Sequence, residues 1–161
     1  FFYKFTKINY KLIIMKSTFK FFTIVIFCLT TTNCYSQYYT GQKVFKDKFP
    51  TENKDYNQDA YIKIENASGD IIVAVENTYT GKVIQHAYIT SRETYEFKYI
   101  PVGNYVCKYM WTDSKGKKRY EKDNSTMDFP KNQYGGYIIT LTETPLGNLS
   151  QSGISESEFF D

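Results

Sequence analysis

Between Ala60 and Glu143 the chain repeats one pattern. Runs of five to eight residues rich in Ile, Val, Tyr, Phe and Thr alternate with clusters of turn formers. One run starts roughly ten residues after the last, the signature of an all-β domain. Seven strands are read: AYIKIENA, IIVAVEN, VIQHAYIT, ETYEFKYI, YVCKYMWT, KRYEK and YIITLTE. Alternation is clearest in the fourth, where Tyr95, Phe97 and Tyr99 face one way and Thr94, Glu96 and Lys98 the other. Tyr105, Cys107, Tyr109 and Trp111 likewise share a face. The third strand is ambiguous, because Val83, Ala87 and Ile89 compete with Ile84 and Tyr88 for the interior, and His86 points either way. A parallel crossover needs about a dozen residues or more, so these short connections predict antiparallel pairing. Seven such strands close most simply into two packed sheets.

The N-terminal region has a different character. Met15 opens a segment with Lys16 and Lys20, the nine-residue apolar run Phe21–Leu29, and the polar stretch Thr30–Ser36. That is the three-part layout of a secretory signal peptide, and a bilayer span would need about 20 apolar residues. The expected organisation is an upstream translation artefact over 1–14, a signal peptide over 15–36 and an extended arm over 37–59. A β-sandwich then covers 60–144 and a flexible polar tail 145–161. Cleavage before Gln37 is expected, in the manner of Gram-negative export signals, so the destination is the periplasm, the cell surface or the medium. A lipid anchor on Cys34 is the alternative. The terminal pair Phe159 and Phe160 has its own alternative, docking on a sheet edge or on a neighbour.

Export would change the charge. All 17 acidic residues follow position 36, whereas five of the 20 basic ones precede it, leaving 15 against 17 and a net of −2. Nothing global then favours nucleic acid or an anionic membrane. The basic cluster Lys115–Lys122 reads as a solvated hairpin tip. Cys107 would be the only thiol left after cleavage, so no internal disulfide is expected. Its aromatic strand face suggests a buried, inert thiol. A reactive pair with His86, the sole histidine, and an intermolecular disulfide are the other readings.

Chemical motifs are sparse. Glycine-rich phosphate loops, nucleophile elbows and clustered His or Cys ligands are absent from the sequence. Oxygen donors alternate at Asp55, Asn57 and Asp59, a spacing that can wrap calcium, with Glu52 as a further donor. Ala60 and Asn66 stand where a helix–loop–helix calcium site needs Gly and Glu. Calcium is therefore the one cofactor entertained. The exported portion keeps 13 tyrosines, several of them outside the expected core. Tyr79, Tyr120 and Tyr134 are the candidate binding residues, because loop tyrosines give broad contact area at low entropy cost.

The segment Ile100-Pro101-x-Gly103-x-Tyr105 resembles a turn found in transthyretin-like domains, also called carboxypeptidase-regulatory-like domains. The preceding DIIVAVENTYTGKVIQHAYITSRETYEF is similar to that family's hairpin, exposed TG turn and strand. The resemblance covers about residues 60–112. It implies a seven-stranded antiparallel Greek-key sandwich of prealbumin-like or immunoglobulin-like type, here preceded by the signal-peptide helix. It also implies accessory, adhesive or carrier use rather than a reaction. The expected function is a non-enzymatic exported module of the bacterial envelope that contacts a protein or glycan through loop tyrosines. An inhibitor or immunity-type protein that neutralises an enzyme is the alternative, and a small thiol enzyme using Cys107 and His86 a third.

Overall fold

The computed structural model describes residues 37–49, 52–132, 134–142 and 151–161. The upstream segment, the signal peptide and Cys34 lie outside the described residues, as does 143–150, the end of the expected sandwich and the start of the expected tail.

Nine strands and one short helix are found among the described residues. They are β1 (Asp59–Asn66), β2 (Ile71–Asn77), β3 (Lys82–Ile89), β4 (Thr94–Lys98), β5 (Gly103–Thr112), β6 (Lys118–Asp123), β7 (Met127–Phe129), β8 (Tyr134–Leu141), β9 (Gln151–Gly153) and α1 (Glu156–Phe160). Two sheets form. The smaller has the order β4-β1-β8, and the larger β3-β2-β5-β6-β9, with β7 continuing along β5 beyond the end of β6. All seven expected strands are present. β7 and β9 were not foreseen: each has three residues, too few to show a period.

The expectation of purely antiparallel pairing is corrected at one place. β8 runs parallel to β1, from Asp59 opposite Tyr134 to Asn66 opposite Leu141. The chain leaves β7 at the end of the sandwich where β1 begins, so its next strand enters the small sheet heading the same way as β1. Gly136 permits this approach. A Cβ there would stand 1.8 Å from the carbonyl oxygen of Tyr61.

The core between the sheets is apolar. Ile62, Ile64 and Phe97 of the small sheet meet Val73, Val75, Tyr105, Cys107 and Tyr109 of the large one. β3 contributes Ile84, Ala87 and Ile89 despite their mixed spacing. A register shift between Val75 and Glu76 inserts one residue into the pairing and breaks the two-residue period. His86 is thereby placed on the opposite face, paired with Ala74.

That opposite face is covered too. The arm before β1 lays Val44, Phe45 and Phe49 over Ile72, Ala74 and Met110, and α1 adds Phe159 and Phe160. Phe45 meets Phe160 edge-on at 4.9 Å, and Tyr120 lies 5.6 Å from Phe159. The flexible tail expected over 145–161 is therefore corrected for residues 151–161. β9 pairs with β6, Ser155 caps α1 by accepting from the Glu158 amide, and Phe159 is fully buried. Two large aromatic rings offset the ordering cost that a polar segment could not.

The same outer face holds a buried charge network. Lys108 and Glu76 form an ion pair, both almost wholly buried, and Lys122 reaches Glu76 at 2.9 Å. Lys108 also donates to the Glu158 carbonyl in α1, which ties the helix to β5.

Candidate functional site

The turn at Ile100–Tyr105 carries the chain from β4 in the small sheet to β5 in the large one. Ile100 is buried, and its amide donates to the Ala60 carbonyl. Gly103 has φ +150°, and a Cβ there would press on Asn77 and on the Tyr105 hydroxyl. Tyr105 turns inward against Phe129, 5.8 Å between rings. The turn thus sets one end of the sandwich, where the β2–β3 hairpin, the approach to β1 and the start of β8 also gather.

This rim presents aromatics to solvent. Tyr56 is 73% exposed, Tyr79 95% and Tyr134 85%, with Val102 beside them at 50%. The hairpin that carries Tyr79 is held from within. Asn77 Oδ1 accepts from the amides of Tyr79 and Thr80, each at 3.0 Å, and the Thr78 amide donates to the Asn104 carbonyl. Tyr56 packs on Tyr99 at 4.9 Å. Tyr99 holds a left-handed backbone (φ 60°), fixed in part by the Asp55 amide donating to its carbonyl. A non-glycine residue takes that conformation only when its surroundings enforce it.

The sequence-based candidates divide accordingly. Tyr79 and Tyr134 share this rim; Tyr120 does not. Tyr120 lies within β6 and packs under α1, and burial and the nearby Glu156 carboxylate push its phenol up to about 12. The correction follows from α1: without a partner in view, KRYEK reads as an exposed hairpin. Tyr56, one of the tyrosines expected in loops outside the core, joins the rim, as does Val102, to which sequence reasoning gave no role. The signal for Val102 was its place between Pro101 and Gly103.

Asp55, Asn57 and Asp59 occupy the approach to β1. Asp55 Oδ1 accepts both the backbone amide of Asn57 at 3.0 Å and its side-chain amide at 3.1 Å. The alternating donors therefore build a local turn in which Asn57 turns its NH2, not its oxygen, toward Asp55. Glu52 pairs instead with Lys43 and Lys54, each at 2.7 Å. Among the described residues no group of three or more His, Cys, Asp or Glu side chains is gathered closely enough to hold a metal ion.

Cys107 and His86 stand on opposite faces of the large sheet, so they form no dyad. Burial pushes the thiol well above its ordinary pKa, and the neighbouring Asp123 adds to that rise. His86 is also buried, and its Nε2 accepts the Phe45 amide at 3.2 Å. Burial first, and the charge of Lys43 second, lower its pKa to about 4, so it is neutral near pH 7.

No family model matches the chain, and no curated protein is similar to it.

Proposed function

We infer that the protein is a non-enzymatic exported binding module, with the rim of Tyr56, Tyr79, Val102 and Tyr134 as its contact surface and a protein as its partner. The observation that carries this reading is the exposure of three tyrosines at one end, with Tyr79 on a turn braced by hydrogen bonds and Tyr56 packed on Tyr99. Preorganised aromatic anchors lose little entropy on contact. Around them stand Asn57, Thr78, Thr80, Gly81, Asn104 and Gly135, small or adaptable polar residues of the kind that surround tyrosine in protein-binding loops. The inert, sealed thiol and its separation from His86 favour binding over catalysis. The turn resemblance to transthyretin-like domains supports a Greek-key arrangement and an accessory role, and the signal-like leader supports a site in the envelope of a Gram-negative bacterium or beyond it.

The test is affinity capture from the source cell envelope, comparing the unaltered chain with Tyr79→Ala and Tyr134→Ala. The expected result is loss of one stoichiometric protein partner at unchanged melting temperature, with about ten-fold weaker binding per anchor. Equal capture by all three forms would remove the rim from consideration. Loss of capture after deglycosylation would replace the protein partner with a glycan. An inhibitor reading draws on the same projecting hairpin: Tyr79 would enter the active site of a partner enzyme, and that enzyme's activity would fall in step with complex formation.

A further inference from the structure

The two sheets differ in width. The small sheet has three strands, and the large one has five along its path, with β6 and β9 at one edge. At the end of the sandwich opposite the tyrosine rim lies a cavity of about 460 Å³, within the range that takes small organic ligands. Its described walls come from the β1–β2 turn, the ends of β5 and β8, β6 and the start of β9.

The chemistry of those walls is one-sided. Asp70, Asp113 and Glu121 line the cavity, and no Lys, Arg or His does so among the described residues. The three carboxylates are not equivalent. Asp113 is held by the Lys115 and Lys117 amides and by the Arg119 guanidinium at 2.9 Å. Asp70 accepts from the Tyr88 hydroxyl and the Ser91 amide, neutral donors that leave its charge in place. Among the described residues Glu121 forms no hydrogen bond or ion pair; Arg119, on the same side of β6, bonds Asp113 and acts on Glu121 only through its charge.

Two further features point the same way. Trp111 lines the same space, and indole is the best side-chain face for a cation. Asp123 lies two residues beyond Glu121 on the same side of β6 and is only 4% exposed. Its Oδ2 accepts the Tyr109 hydroxyl at 2.9 Å, while its Oδ1 is buried without a hydrogen bond. Tyr109 and Gln151, the residues beside it, are themselves cavity walls. Negative charge therefore stands both on the wall and directly behind it.

We propose that this cleft between the sheets binds an organic cation, an ammonium or guanidinium group on a short apolar stem. The stem lies along Trp111 and the charged head meets Glu121. The same chemistry belongs to a free amine and to a Lys or Arg side chain of another protein. The proposal is independent of the tyrosine rim, which lies at the other end of the sandwich.

Trp111 is the only tryptophan in the chain, so its fluorescence reports this site directly. The full chain is titrated with butylammonium, butylguanidinium, 1-butanol and butyrate, and with N-acetyl-Gly-Arg-Gly-amide. Saturable change with the cations, and none with the alcohol or the anion, is the expected result. Glu121→Gln, with its fold verified by melting temperature, is expected to weaken the cations about ten-fold, the loss of one charge-assisted contact. Tighter binding of the peptide than of butylguanidinium assigns the cation to a protein side chain; weaker or equal binding assigns it to a small molecule. The proposal is overturned by equal response to butanol and butylammonium, or by no saturation with any cation. The ligand comparison on the unaltered chain decides this even if the variant does not fold.

Discussion

Glu76 is the residue on which the outer face of the large sheet turns. It is buried, and it is the shared partner of Lys108 and Lys122. A buried ion pair gives little net stability, but removing one partner strands the other charge in a low-dielectric site. Glu76→Gln keeps the shape and leaves Lys108 without its carboxylate. A loss of about 3 kcal/mol in urea unfolding is expected, with replacement of the pair by apolar residues far less costly. A change under about 0.5 kcal/mol would show that solvent reaches Lys108 and that the network is not sealed. In the sequence Glu76 reads as an outward strand residue. The alternation is correct, but nothing local reveals that a second layer covers that face.

The covering layer is itself the lesson at the level of elements. α1 has five residues, too short to be stable alone, so it persists through Phe159, its serine cap and the Lys108 contact. Phe159→Ala is expected to cost about 3 to 4 kcal/mol. It should also expose Ile72 and Met110, measured as new binding of an apolar dye at temperatures where the sandwich retains its strand signal. Global unfolding in a single step, with no dye-binding stage, would show that cap and sandwich are one cooperative unit. The seven longer strands were legible from their length, their β-branched and aromatic residues and the turn formers between them, even in β3, where the period of two is broken. β9 and α1 were not, because a three-residue strand and a five-residue helix carry no period, and their stability is tertiary.

For the whole molecule, two buried groups titrate in opposition. Burial raises Asp123 from 3.8 to about 6, so the folded state holds its proton more tightly than the unfolded chain, and stability falls as pH rises across that window. Burial lowers His86 from 6.5 to about 4, so the unfolded chain takes up a proton first, and stability falls as pH drops across that window. Each shift corresponds to about 3 kcal/mol at full effect, by the usual linkage of 1.36 kcal/mol per unit. The two slopes nearly cancel between pH 4 and 6, and a flat stability profile is expected there. Asp123→Asn is expected to leave a profile that rises with pH, and His86→Gln one that falls. Parallel profiles for the two variants, from urea midpoints at several pH values, would contradict this assignment.

Side-chain alternation and turn spacing, both local properties, by themselves determined that this chain makes β-strands and that Tyr105, Cys107 and Tyr109 share an apolar face. The turn chemistry of Pro101 and Gly103 likewise marked where one strand ends and the next begins. Tertiary structure alone decided the rest: the parallel entry of β8, the side taken by His86, the withdrawal of Tyr120 beneath α1 and the unequal widths of the sheets. Each of these depends on which surfaces meet across many residues of chain, and hydrophobic burial, being non-directional, writes no local pattern for its partner.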